Sequence, residues 1–316
     1  MDRLPPLILR ETDTTLELSL RLFVDEVRLE LDKSRCIRCD ICSLVCPRQA
    51  VRLLPGEEDL RVAIDPWRCV LCEVCAHFCP VGALRLSYNH RPKTVLANHQ
   101  ALAPFFPKVE LDPEKCPEPC PVLPEGEEHW CRAQLRLVAN DLRECPKECR
   151  RCLRACPRQA LVPDAASGRP RPEPDACLRC QRCLDACEQG ALTVSPMFVG
   201  RVLIDDSRCP PDCLKCVHLC PVQLLVREGE RVYLAAETCS LCGVCQAICD
   251  QDAITLIREE VVAREGRYSH AWEQAVARLL GQGRDKGPPD GRSGDGQGGD
   301  LGCLLSRWGR GVLSGR

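Results

Sequence analysis

Cysteine spacing constrains this chain more than any other feature. Twenty-four of its 28 cysteines fall into six blocks of four. The first block is Cys36, Cys39, Cys42 and Cys46; the second is Cys69, Cys72, Cys75 and Cys79. The third is Cys145, Cys149, Cys152 and Cys156; the fourth is Cys177, Cys180, Cys183 and Cys187. The fifth is Cys209, Cys213, Cys216 and Cys220; the sixth is Cys239, Cys242, Cys245 and Cys249. Four blocks follow C-x2-C-x2-C-x3-C, and the third and fifth carry one more residue in the first gap. Only 4 Trp, 3 Tyr and 5 Phe accompany them in 316 residues, too few large side chains to fill one large apolar core. Several small modules are expected, each stapled by something other than apolar burial.

The staple is expected to be metal. The apolar run from Leu4 to Leu9 is too short for a signal-peptide core and contains Pro5 and Pro6. No stretch approaches the roughly 18 apolar residues that a membrane span needs. A cytoplasmic location follows as the expectation, and there thiols stay reduced and dense cysteines read as ligands, not disulfides. Zinc sites use two well-separated C-x2-C pairs. Here three cysteines crowd one loop, a spacing that reaches three corners of a cubane and leaves the fourth to another part of the chain. That is the run which holds 4Fe–4S clusters in bacterial ferredoxins.

With six such blocks, the chain resembles the polyferredoxins, in which two-cluster ferredoxin domains recur in tandem. The resemblance covers about residues 27–262, with a break over 91–139. It implies six 4Fe–4S clusters and cross-ligation, the last cysteine of each block serving its partner's cluster. Cluster one then takes Cys36, Cys39, Cys42 and Cys79, and cluster two takes Cys69, Cys72, Cys75 and Cys46. Cluster three takes Cys145, Cys149, Cys152 and Cys187, and cluster four takes Cys177, Cys180, Cys183 and Cys156. Cluster five takes Cys209, Cys213, Cys216 and Cys249, and cluster six takes Cys239, Cys242, Cys245 and Cys220. Pro is missing after Cys187 and Cys249, which is expected to loosen the packing around clusters three and five. The wider first gaps in the third and fifth blocks are expected to alter solvent access and N–H bonds to sulfur.

Between paired blocks, pieces such as VRLLP, RVAID, LLVRE and RVYLA read as short strands around a turn, after a short helix. The expected fold class is α+β: three tandem two-cluster modules of short helices and antiparallel hairpins. Residues 1–26 are an N-terminal extension, where Leu16, Leu18, Leu20 and Leu22 alternate with polar residues and then Val27, Leu29 and Leu31 do the same, a hairpin signal. The modules span 27–90, 140–199 and 200–262. Residues 91–139 form a proline-rich linker with little regular structure. A helical pattern runs from Arg258 to Leu280, with 263–282 set apart as the C-terminal helix, and the glycine-rich 283–316 is expected to be disordered.

Some features resist the repeat. Cys116, Cys120 and Cys131 begin like a C-x3-C block, but Leu123 stands where the third ligand belongs. A decayed block that only packs is favoured over a seventh cluster, since an incomplete ligand set binds poorly. Cys303 reads as a free thiol. His77 and His218 lie two residues before a fourth cysteine; solvated helix positions are favoured over proton coupling. Two blocks match the radical-SAM triplet, but that chemistry needs a far larger barrel and an open iron. The GDGQGGD stretch follows no strand and precedes no helix, so it is no phosphate loop.

The formal charge of −2 gives no global basic field for nucleic acid. Six dianionic cluster sites would take it to about −14. The arginine-rich stretch from Arg143 to Arg182 offsets part of this, so the middle module is expected to hold higher potentials than the last. No nucleotide fingerprint, catalytic triad or substrate motif is present, and the chain alone reads as no enzyme. It reads as a wire relaying single electrons, with redox proteins as partners. The resemblance suggests a subunit of an anaerobic oxidoreductase complex, of the formylmethanofuran dehydrogenase or the hydrogenase–heterodisulfide reductase kind. The C-x3-C variant and the degenerate block favour the former by analogy. The alternative is a diffusible carrier or reservoir with no fixed complex.

Overall fold

A computed structural model describes residues 7–55, 60–92, 96, 99–106, 151–163, 170–173, 175–186, 192, 194–236 and 238–282. Cys145, Cys149, Cys187, the irregular Cys116, Cys120 and Cys131, Cys303 and the tail lie outside them.

The alternating leucines make the expected hairpin. Strand β1 (Ile8–Glu11) pairs with β2 (Thr15–Leu22), and β2 turns through Phe23 and Val24 into β3 (Asp25–Asp32). Leu16, Leu18, Leu29 and Leu31 point inward and are buried, while the turn residues Phe23 and Val24 stand in solvent. The hairpin is no separate appendage. β3 continues into pairing with β6 (Leu84–Tyr88), which lies after the second cysteine block, and β7 (Arg91–Pro92) completes a five-stranded antiparallel sheet.

Between β3 and β6 the chain follows a pattern that recurs. A short helix α1 (Ile41–Val45) leads to the hairpin β4 (Val51–Pro55) and β5 (Leu60–Ile64), then to helix α2 (Val74–His77). In the middle segment α3 (Arg151–Ala155) precedes the hairpin β8 (Leu161–Pro163) and β9 (Pro170–Pro172), then α4 (Arg182–Asp185). In the last, β10 (Phe198–Ile204) leads to α5 (Lys215–Leu219), the hairpin β11 (Leu225–Glu228) and β12 (Arg231–Leu234), α6 (Val244–Ile248) and β13 (Ile254–Val261). The outer strands close the first and last units: β13 pairs with β10 as β6 pairs with β3.

Arg258 to Val261 therefore belong to a strand, not to the expected helix. Ile254 to Val261 find a partner in β10, and the helical period begins only at α7 (His270–Leu279). The strand pair slips register between Val199 and Gly200. Gly200 has φ +156°, and a Cβ there would lie 2.0 Å from the Ile257 carbonyl oxygen. Gly200→Ala should therefore destabilise the protein by roughly 3 kcal/mol. Denaturant melts of the iron-loaded protein would show the lowered midpoint; an unchanged midpoint would mean that the strands are further apart than described.

The expectation of separately stapled modules needs correction. One apolar core runs from Leu18, Leu29 and Phe78 through Leu178 and Met197 to Val222, Leu224, Leu241, Ala275 and Leu279, so it joins parts of all three block pairs. The described end of the proline-rich linker also packs: Leu102 and Ala103 are buried, Phe105 bridges to Ala263, and the Ser269 hydroxyl donates to the Ala101 carbonyl at 2.6 Å. Helix α7 docks there by stacking Trp272 on Phe78 at 5.1 Å between ring centroids. His77 belongs to the same aromatic cluster, stacked on Phe105, with its ring nitrogen 2.9 Å from the Ala103 carbonyl oxygen. Burial holds its pKa below the usual imidazole value. The reading of His77 as a solvated helix residue is thus overturned, whereas His218 is exposed.

Candidate metal centres

Each short helix carries the third cysteine of its block at its second residue: Cys42, Cys75, Cys152, Cys183, Cys216 and Cys245. Each described fourth cysteine immediately follows its helix or the residue that caps it. Cys46 and Cys220 are extended, with ψ of 112° and 110°, as a residue before proline must be. Three residues further on the chain turns through positive φ, at Gln49, Gly82, Gln159, Gln223 and Asp252. That turn aims the next N–H back at the thiol. Ala50 donates to Cys46 Sγ at 3.2 Å, Ala83 to Cys79 at 3.2 Å and Ala160 to Cys156 at 3.2 Å. Leu224 donates to Cys220 at 3.4 Å and Ala253 to Cys249 at 3.3 Å. The Cys249 turn is therefore intact without its proline: Cys249 is extended, with ψ 100°. The loosening expected there is absent at this turn.

A second strained pattern precedes the helices. In the C-x2-C blocks one and two, positive φ occurs at Arg38 and Asp40 and at Leu71 and Glu73; in blocks four and six it occurs at Arg179 and Gln181 and at Leu241 and Gly243. Non-glycine residues in this region cost about 1–3 kcal/mol each and persist where the surroundings over-determine them. Alternating right- and left-handed residues turn successive N–H groups into one concavity, which suits an anion such as an iron–thiolate cluster. Cysteine spacing alone carries no sign of this backbone device.

The side chains converge in sets. Cys36, Cys39, Cys42 and Cys79 line one space, and Cys46, Cys69, Cys72 and Cys75 line another. Cys209, Cys213, Cys216 and Cys249 line a third, of about 380 Å³, which opens on the side of the widened gap at Pro210, Asp212 and Leu214. Burial raises the Cys183 thiol to about 12, with Cys177, Cys180 and Cys156 adding to it. The Cys245 thiol is raised by burial and then by Cys242, Cys239 and Cys220. Thus in five sets the cysteine from the partner block joins the three on the loop. The set with Cys145, Cys149 and Cys187 lies outside the described residues, although Cys152 also raises Cys183.

These sets fit an iron–sulfur cubane. Among the described residues no three donor side chains close around a single ion. Instead, thiols face a common space, and burial and neighbouring cysteines push Cys42 and Cys216 towards the neutral form. A strongly cationic core would hold these sulfurs as thiolates. Arginines surround the sets. Arg38 donates to the Cys36 carbonyl at 3.2 Å, and Arg227 donates to the Cys213 carbonyl at 3.0 Å and towards Cys209 Sγ at 3.6 Å.

Comparison with known proteins agrees with this geometry. A family described as a 4Fe-4S dicluster domain matches residues 35–83 and 176–224. A ferredoxin from Methanothermococcus thermolithotrophicus is 40% identical over 57 residues, 17% of this chain and 95% of that protein. The chain belongs to the ferredoxin family. An uncharacterized ferredoxin from Methanocaldococcus jannaschii is 38% identical over 55 residues, 17% of this chain and 89% of that protein. This ferredoxin-family chain also shares its fold with a chain of the formate dehydrogenase–heterodisulfide reductase–formylmethanofuran dehydrogenase complex from Methanospirillum hungatei. The TM-score is 0.68 and the identity 21%, over 89% of this chain and 93% of that one. It is a 4Fe–4S iron–sulfur protein of polyferredoxin type, α+β with antiparallel strands. The second domain match runs from the fourth block into the fifth, because those blocks are spaced like the pairs. Among the described residues no helix is long and apolar enough to cross a membrane.

Proposed function

We propose that this ferredoxin-family chain is the electron-relay subunit of an oxidoreductase complex, holding six 4Fe–4S clusters in three modules at 27–90, 140–199 and 200–262. The ligand sets are those of cross-ligation, from Cys36, Cys39, Cys42 and Cys79 for the first to Cys239, Cys242, Cys245 and Cys220 for the sixth. The observation that carries this reading is the convergence, in five sets among the described residues, of a cysteine from the partner block on the other block's loop. When bound, the clusters supply one-electron redox chemistry. The chain supplies thiolates, N–H donors to sulfur, buried arginines and a shared core that fixes the sites relative to one another. The likeness to a chain of a formylmethanofuran dehydrogenase-containing complex favours that kind of partner, and the near-complete mutual coverage favours a docked subunit over a diffusible carrier. The reading includes no catalytic site of its own, a cytoplasmic location and anaerobic metabolism.

Native mass spectrometry of the protein purified without oxygen from its own host tests this. The expected result is a larger assembly in which this chain carries about 24 irons. A lone chain with the same iron content would favour the diffusible carrier, and a count near 28 would add a seventh cluster at the irregular cysteines.

A further inference from the structure

Arg258 is a buried cation placed between two cysteine sets that lie far apart in sequence. It is 8% exposed, on β13. Its Nε donates to the Leu241 carbonyl at 3.0 Å and its Nη2 to the Cys242 carbonyl at 3.0 Å, so it grips the loop of the sixth block. Its guanidinium also lies over the Phe198 ring, 4.7 Å from the centroid. The first block packs against the same loop. A Cβ on Gly243 would come within 3.0 Å of the Cys39 carbonyl oxygen and 3.1 Å of Arg258 Nη2. Glycine at that position, with φ +103°, is what lets the two loops and the guanidinium meet. The titratable groups that act most strongly on Arg258 include Cys242, Cys39, Asp40 and Cys245. Two of these belong to the sixth block and two to the first or its loop.

We propose that Arg258 is a positioning residue shared by two clusters: it locks the first and sixth cysteine loops together and raises the reduction potentials of both. This rests on the cluster reading above. Each reduction adds one electron to an already anionic site, and a fixed positive charge nearby favours the reduced form. The effect is strong because the guanidinium is buried, where screening by water and salt is weak. A guanidinium stays charged over the whole working range of pH, which suits a permanent electrostatic role. The neighbouring carboxyl of Asp40 acts in the opposite direction on the first site. The contact also sets the first module directly beside the last, so electron exchange between them does not have to pass through the middle module.

The test is an EPR-monitored redox titration of the full chain, loaded anaerobically. Arg258→Gln should lower two of the midpoint potentials by the equivalent of about tenfold in the reduction equilibrium, ~59 mV for one electron, and leave the others in place. Arg258→Lys should restore most of that shift. Asp40→Asn should raise the potential of the first site, a change of opposite sign. Unchanged potentials in fully iron-loaded Arg258→Gln would overturn the proposal, and so would a lysine variant that falls as far as the glutamine one. Should Arg258→Gln load poorly, Asp40→Asn decides: a rise supports the shared electrostatic role and no change sinks it. Wild-type protein without reducible 4Fe–4S signals would overturn the cluster reading itself, whereas normal signals with no shift in the variants would overturn only the role of Arg258.

Discussion

Chelating the iron from anaerobically prepared protein should abolish its cooperative unfolding transition. The elements around the cysteines cannot stand alone. Their helices are 4 or 5 residues long, well below the length at which isolated helices persist in water. Their hairpins have strands of 3 to 5 residues. The backbone adds strain: Arg38, Asp40, Leu71, Glu73, Arg179, Gln181 and Leu241 hold positive φ beside the sites, and Gln49, Gln159, Gln223 and Asp252 hold it after the fourth cysteines. At about 1–3 kcal/mol each, that strain is at least comparable to the roughly 5–15 kcal/mol by which whole domains are stable. A structural metal site contributes on the order of 10 kcal/mol, as zinc does in small domains, so losing several sites outweighs any such margin. The opposing force is the shared apolar core from Leu18 to Leu279. Circular dichroism melts and hydrogen exchange of the iron-loaded and stripped protein check the balance. The expected stripped chain shows no cooperative melt and exchanges freely around the cysteine loops. A stripped protein that still melts sharply would mean that the apolar core suffices and the clusters are passengers.

The parts of the fold that were legible in the sequence are those where a local pattern determines a local structure. Alternating leucines at 16–22 and 27–31 made a hairpin because one face of each strand had a core to meet. The cysteine runs marked the family, since three thiols on so short a loop have few other uses. Long-range packing hid the rest. Arg258 looked helical because charged and apolar residues alternate ambiguously near it, and only its partner strand β10 determines it as a strand. His77 looked solvated because nothing local shows that Phe105 and Trp272 arrive to cover it. The sparse aromatics suggested separate small cores, but four rings, His77 included, gather in one place and tie the C-terminal helix to the first unit. The positive-φ turns left only a faint trace, glycine at 82 and 243, because Gln, Asp and Glu occupy the equivalent positions elsewhere.

Pairs of serine substitutions should reveal which cysteines share a cluster, through iron content alone. Cys79 lies at the end of the second block, yet it lines the same space as Cys36, Cys39 and Cys42. Cys46, from the first block, lines the space with Cys69, Cys72 and Cys75. A serine oxygen is a hard ligand and a poor replacement for thiolate sulfur, so each change should release or cripple one cluster. Two changes at one site then cost no more than one, while changes at two sites add. Cys39→Ser with Cys79→Ser should therefore lose a single cluster and retain about 20 of about 24 irons. Cys72→Ser with Cys79→Ser should lose two and retain about 16. The hydroxyl of serine still accepts the Ala83 N–H, so the turn after residue 79 keeps its shape and the comparison reports on the ligand. The reversed outcome, with Cys72 and Cys79 redundant and Cys39 and Cys79 additive, would mean that each block keeps its own fourth cysteine. That would contradict the one geometric feature on which the relay reading stands, because loops that served only themselves would give the partner blocks no reason to exchange their last thiol.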